Sequence, residues 1–149
     1  MFGGFGMKIH TEKVELLSEK PTELVNVTTL VKETLAKSGV RDGVLHIFTT
    51  HTTTALTINE NEPGLERDIV ALLMSIVRED GDYHHHHFFY KDGRMAVNAW
   101  AHLRNILLGS TLSIPVAEGR ALLGERQNVY FVELDGPQER TIFIQVMGE

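Results

Sequence analysis

Apolar and polar residues partly alternate over residues 8–16, Lys-Ile-His-Thr-Glu-Lys-Val-Glu-Leu, which is the period of a half-buried strand. The period then lengthens. Val27, Leu30, Val31 and Leu35 recur at helical spacing, and Gly39 stands where a left-handed C-terminal cap is expected. Residues 44–49 and 54–58 are β-branched and apolar, so two strands are predicted on either side of the run Thr50-His-Thr-Thr-Thr54. Pro63 suits the first position of a helix, where its missing N–H would go unpaired anyway. Leu65, Ile69, Leu72, Leu73 and Ile76 then form one apolar stripe, predicting a helix over roughly 64–78. Residues 80–95 read as an irregular, His-rich loop, and a third helix is predicted from about Asn98 to Leu108, stopping at Gly109.

The last third reads as β, over roughly 110–116, 128–134 and 140–147, with Asp135-Gly-Pro-Gln138 as a hairpin turn between the final two strands. Those two strands are apolar on both faces: Val129 and Phe131 against Tyr130 and Val132, then Ile142 and Ile144 against Phe143 and Met147. Strands of that kind belong between layers or at a subunit interface. The expected fold is therefore α+β, an antiparallel sandwich-like sheet with two to three flanking helices. No repeat, low-complexity linker or composition shift marks a second domain.

Composition narrows the chemistry. The chain has 149 residues, the size of one domain, and no cysteine, which excludes disulfides, zinc–thiolate sites and a cysteine nucleophile. Any metal must be held by His, Asp or Glu. Hydrophobic residues at 42% and charged residues at 23% are ordinary for a globular domain. The 14 Lys and Arg are dispersed and outnumbered by 20 Asp and Glu, so no basic face for nucleic acid is expected. Residues 1–6, Met-Phe-Gly-Gly-Phe-Gly, lack the charged start and apolar run of a signal peptide. They are expected to form a flexible extension ahead of a domain over 7–149. No apolar stretch reaches the ~20 residues of a spanning helix, and a cytoplasmic protein away from membranes is expected.

The chain holds eight histidines, four of them consecutive at His84–His87. That run lies inside the chain, so it is no terminal tag; a solvated polar loop would account for it as well as a ligand site does. Asn98, His102 and Asn105 form one polar stripe on the third helix, opposite Ala99, Leu103, Ile106 and Leu107. Amides and an imidazole there point to a wet, shaped cavity or to an ordinary hydrogen-bonded surface. His51 follows a strand end among Thr49, Thr50, Thr52, Thr53 and Thr54, whose hydroxyls can orient a ligand imidazole or simply reflect β propensity. His10 and His46 lie within predicted strands and read as structural. Three neutral imidazoles with an open fourth position suit zinc.

Phe48-Thr-Thr-His-Thr-Thr-Thr-Ala-Leu-Thr-Ile-Asn-Glu-Asn-Glu-Pro63, followed by Asp68, resembles the central segment of the YjbQ or secondary thiamine-phosphate synthase family. Further matches are Tyr83-His-His85, Asn98-Ala-Trp-Ala-His102, Gly109-Ser110, Ile114-Pro-Val116, Gly119-Arg120, Gly124 with Gln127, and Glu133-Leu-Asp-Gly-Pro137. They run in family order over about residues 8–148. The resemblance implies a compact α+β sandwich that assembles as a homotrimer, with its site near the subunit boundary. It also implies that His51, His85 and His102 correspond to the family's site histidines, and a divalent metal, zinc before magnesium, is the cofactor expected on them. Where the family reads Gly-Thr-Trp-Gln, this chain has Gly124-Glu125-Arg126-Gln127, a departure bearing on ligand shape.

A synthase-type reaction implied by that resemblance joins a pyrimidine diphosphate to a thiazole phosphate and expels pyrophosphate. It needs charge neutralisation on the leaving group and alignment of the incoming nitrogen. His51 and His102, with Glu60 and Asp68, are then the catalytic candidates. Thr52, Asn61, Ser110, Arg120 and Gln127 are the ligand-binding candidates, Arg120 with the Ser110 and Thr52 hydroxyls as anion contacts. Plainer roles compete: Arg120 as a surface ion pair, Ser110 as a strand-end hydroxyl, and Glu60, Asn61 and Pro63 as helix-start chemistry. A metal-dependent hydrolase using the same histidines and a non-enzymatic trimer binding a small phosphorylated metabolite are the rival functions.

Overall fold

The computed structural model describes residues 6–149, so the expectation for residues 1–6 lies outside the described residues except at Gly6. Its elements in chain order are β1 (Lys8–Leu17), β2 (Glu23–Asn26), α1 (Thr28–Ser38), β3 (Gly43–Thr49), β4 (Thr54–Glu60), α2 (Pro63–Ile76), a single 3₁₀ turn (His84–His87), α3 (Ala99–Leu108), β5 (Thr111–Ala117), β6 (Arg120–Ala121), β7 (Gln127–Glu133) and β8 (Glu139–Gly148). All three predicted helices and the longer strands are present. β2 and β6 are additions, too short to carry a period. Gly39 caps α1 with φ 67°, the left-handed geometry that favours glycine. Pro63 opens α2, and the Glu62 carboxylate accepts the N–H groups of Gly64 and Leu65.

Two antiparallel sheets result, one ordered β1-β8-β3-β5-β6 and the other β2-β7-β4. Leu45, Ile47, Ile114, Ile142, Ile144 and Val146 of the five-stranded sheet pack against Leu56, Val129 and Phe131 of the three-stranded one, with Val27 just ahead of α1 and Val31 and Leu35 within it joining this core. A second layer forms on the far side of the small sheet, where Ala55, Tyr130, Val132 and Leu134 meet Leu73 of α2 and Ala101 of α3. β7 is thus buried on both faces, as its composition predicts, because it is the central strand of the middle layer. β8 buries Ile142, Ile144 and Val146, while Phe143 and Met147 face the outer side of the large sheet and are half-buried.

One expectation is corrected. Asp135–Gln138 is no hairpin turn: β7 pairs with β2 and β4, whereas β8 pairs with β1 and β3, so the segment carries the chain from one sheet to the other. Thr50–Thr53 makes the same crossing between β3 and β4. Turn residues favour local reversal, but which strands then pair is decided by partners about a hundred residues away, such as Val25 opposite Phe131. The two crossings are tied together by Leu134 N–H donating to Thr53 C=O at 3.1 Å. Gly136 is needed there, since a Cβ would sit 2.4 Å from the Lys20 carbonyl oxygen.

The Glu62 cap gives a first prediction. Its two N–H bonds hold the carboxyl below the ordinary carboxylate range, so its stabilising effect is present above the unfolded value and fades as pH falls through the folded one. Glu62→Gln is expected to lower the melting temperature slightly at neutral pH and to leave it unchanged in acid, as read by thermal scans at several pH values. Among the described residues, no helix is long and apolar enough to cross a membrane.

Candidate functional site

The His84–His87 turn projects its four rings in different directions, and each finds separate employment. His86 Nε2 accepts the Ala99 N–H at 3.2 Å, capping the start of α3. His87 lies 3.3 Å from Asp82 on the surface. His84 borders a cavity, and His85 meets His102 of α3 edge to face, with ring centroids 4.8 Å apart. The Nε2 atoms of both His85 and His102 are buried and have no hydrogen-bond partner, and the same is true of Asn98 Oδ1. Buried polar atoms are almost always paired. Two unpaired imidazole nitrogens side by side therefore point to a bound group.

These atoms border a shallow cavity of about 400 Å³ lined by Tyr83, His84, His85, Ala99, His102 and Leu103. Behind it, Asn98 Nδ2 donates to Asp135 Oδ2 at 2.8 Å, so the crossover after β7 delivers a carboxylate to the start of α3. Burial lowers the His102 pKa, as does the nearby His85; Asp135 and the Thr52 main chain oppose the shift. His51 is also lowered, by burial and then by the Arg140 charge. Both rings are neutral at pH 7. The polar stripe of α3 faces inward as a whole: Asn105 Nδ2 donates to the Thr54 carbonyl at 2.6 Å and to Ser110 Oγ at 3.1 Å.

His51 stands apart from the pair. Its Nε2 accepts the Thr141 N–H at 2.9 Å, and its surroundings are Arg140 and Glu133. Arg140 Nε and Nη2 reach Glu133 at 2.8 and 2.6 Å in a buried ion pair that also takes in Thr53 and Ser18. Among the described residues, no three His, Asp or Glu side chains of one chain stand close enough to share a metal ion. His85 and His102 fit as two ligands of a zinc-like ion; His51, its Nε2 already engaged, is not brought to them.

The remaining candidates divide by location. Thr52 and Ser110 lie at the same end of the sheets as the histidines. Glu60, Asn61 and Gln127 lie at the other end of β4, about 20 Å away by strand rise. There Asn61 Oδ1 accepts from the Tyr130 hydroxyl, Glu60 is 3.9 Å from Arg126, and Gln127 Oε1 accepts the Gly124 N–H. The Gly124–Gln127 departure is thus a closed turn whose Arg126 turns toward Glu60. Tyr130 also donates to Glu66, and burial with that carboxylate pushes its hydroxyl pKa up to about 12. Asp68 is exposed on α2. Arg120 in β6 pairs opposite Ala117, at the end of β5 remote from Ser110, with Glu118 at 3.6 Å.

Sequence reasoning passed over Asp135, Glu133, Arg140 and Arg104. Arg104 is fully buried on α3 and donates through Nε and Nη2 to the Val77 carbonyl at 3.1 and 2.7 Å, closing the end of α2. The available signal was a charge of either sign set among apolar neighbours: Glu133 between Val132 and Leu134, and Arg140 just before the apolar run of β8.

The family model described as UPF0047 protein YjbQ-like matches residues 12–149. A UPF0047 protein of Methanothermobacter thermautotrophicus is 38% identical over 148 residues, covering 98% of this chain and 97% of its own length. The UPF0047 protein YugU of Bacillus subtilis is 33% identical over 136 residues, covering 91% and 97%. Among solved structures, a YbjQ-like protein of unknown function from Sulfolobus solfataricus superposes with a TM-score of 0.91 at 34% identity, over 97% of this chain and 100% of that one. A hypothetical protein from Aeropyrum pernix gives 0.86 at 37% identity, over 93% and 98%.

Proposed function

The chain belongs to the YjbQ-like UPF0047 family, and from that premise we propose that it is a metal-assisted enzyme acting on a small phosphorylated substrate. The transfer is of the thiamine-phosphate synthase type, carried out in the cytoplasm by a homotrimer. The observation that carries this reading is the His85–His102 pair, two rings with buried, unpartnered Nε2 atoms at the edge of a cavity. Imidazole nitrogens favour zinc over magnesium, which prefers oxygen ligands and its own waters. When bound, such an ion would supply positive charge to the oxygens of the departing pyrophosphate.

The chain's own groups do the rest. The Tyr83–Leu103 cavity seats the organic ring and sheds its water. Asn98, fixed by Asp135, leaves its Oδ1 free to orient a donor on the ligand. The Thr52 and Ser110 hydroxyls lie at the same end of the sheets. Glu60, Asn61, Asp68 and Gln127 reach a reacting group only if a neighbouring copy presents them, which is the role of the trimer. Support for assembly comes from α3, whose apolar side is left open: Leu103, Ile106 and Leu107 are 38%, 74% and 51% exposed.

Metal content measured on protein purified without added metal tests the site. Zinc is expected in the wild type, with affinity lowered by more than about 100-fold in His102→Ala, beyond what loss of an outer-shell partner costs. Full zinc retention in that variant would remove the pair from the ligand set. Product analysis with a pyrimidine diphosphate and a thiazole phosphate separates transfer, which consumes both, from hydrolysis, which consumes one.

A further inference from the structure

We infer that His51 serves as a neutral hydrogen-bond donor to a phosphoryl oxygen of the ligand and not as a third metal ligand. The inference rests on the proposed phosphorylated substrate and assigns one of its contacts. A neutral imidazole carries one N–H and one lone pair. In His51 the lone pair is at Nε2, because that atom accepts the Thr141 main-chain N–H at 2.9 Å. The proton therefore sits on Nδ1. Neither nitrogen has a lone pair left for a metal, whereas His85 and His102 both offer one.

The ring's placement is fixed by its surroundings. Thr54 Oγ1 lies 2.6 Å from Thr49 Oγ1 and donates to the His51 carbonyl at 3.3 Å, pinning the main chain on both sides of the crossing. Thr141 lies near the start of β8, opposite Glu15 of β1 and directly after the buried Arg140. Rotating the ring to free Nε2 would leave that main-chain donor without its acceptor. Nδ1–H has no acceptor among the described residues, and an anionic oxygen is the partner that makes its strongest bond. The main chain of Thr52, the next residue, reaches the His102 ring, so the crossing that carries His51 adjoins the histidine pair although the His51 ring itself stands apart from it. The threonine-rich run thus reads as a scaffold that presets one tautomer. A donor fixed before the ligand arrives stabilises charge on that oxygen without reorganising.

Long-range proton–nitrogen spectra of protein labelled with ¹⁵N decide the tautomer without any variant. His51 is expected to show a protonated Nδ1 and a bare Nε2, unchanged on adding zinc, while the His85 and His102 nitrogens shift. Inorganic phosphate serves as the binding probe on desalted, zinc-treated protein. His51→Ala is expected to keep the zinc content of the wild type but to bind phosphate about 10- to 100-fold more weakly, the loss of one charge-assisted hydrogen bond. His51→Asn, whose amide places an N–H near the Nδ1 position, recovers part of that affinity. A proton on Nε2, a His51 shift with zinc, zinc loss in His51→Ala, or phosphate affinity indifferent to position 51 would each overturn the assignment. Failure of the wild type to take up zinc would instead sink the metal reading, leaving the tautomer and phosphate measurements to judge His51 alone.

Discussion

Arg140→Met is expected to cost about 3–5 kcal/mol of folding stability, the range for breaking a buried ion pair by removing one partner, as measured by equilibrium chemical denaturation. Arg140 is 4% exposed and Glu133 is fully buried. The guanidinium meets both carboxylate oxygens, and the Ser18 hydroxyl with the Leu134 and Asp135 N–H groups supplies the rest of the carboxylate's bonds. Without Arg140 the carboxylate remains in the interior with its charge uncompensated. Replacing both partners by apolar side chains of matching volume is expected to recover most of the loss, since the pair's own desolvation cost disappears with it.

The pH dependence separates this explanation from simple loss of packing. Burial pushes the Glu133 carboxyl up, but its bonds to Arg140, Ser18 and the Asp135 N–H outweigh that and leave it below its ordinary 4.5. The folded value is depressed, so the ionised pair's stabilisation is fully present above 4.5 and is lost as pH falls through the folded value. In Arg140→Met the remaining carboxyl feels burial without its main counter-charge and takes up a proton more readily. The gap between wild type and variant is therefore expected to narrow as the pH is lowered toward 4.5 and beyond. A gap constant with pH would assign the cost to packing. Because Thr141 holds His51 and Asp135 holds Asn98, the variant is also expected to loosen both sides of the site.

Local signals were legible and pairings were not. Gly39, Pro63 and the helical stripes act over a few residues, and the structure places α1, α2 and α3 within a residue or two of where they point. The two crossings between sheets were read as a hairpin and a strand-to-strand turn because Asp-Gly-Pro and a threonine run encode reversal only. Nothing in them states that β2 and β1 will take the partner edges. At the site, the Asn98–His102–Asn105 stripe read equally as the wall of a cavity or as a hydrogen-bonded surface, and in the structure Asn98 and Asn105 bond inward to Asp135, Thr54 and Ser110. Helical spacing groups residues on a common face, so His102 was visible; His85 came forward only through the family resemblance, since the run of four offers no periodic clue. That His51 has spent its lone pair on Thr141, ninety residues on, is long-range register and has no local trace. The wide separation of Glu60, Asn61 and Gln127 from the histidines follows from the straightness of β4, which a motif written in one line conceals.

Ile106→Asp is expected to leave the single chain's fold within about 0.5 kcal/mol of the wild type, yet to convert the proposed trimer to monomer as weighed by light scattering. Ile106 is 74% exposed and makes little contact within its own chain. Seated against another copy, it would join Leu103 and Leu107, each worth about 1.5–3 kcal/mol on full burial, and a carboxylate in its place would be desolvated without a partner. Leu17→Asp is the matched control, since Leu17 has the same 74% exposure but lies on β1, at the edge strand of the large sheet. That sheet also leaves Ile9 and Phe48 exposed on its outer face. Monomers from Ile106→Asp alone would place the contact over the histidine cavity. Monomers from Leu17→Asp alone would move it to the outer sheet and leave the two ends of β4 too far apart for a shared site.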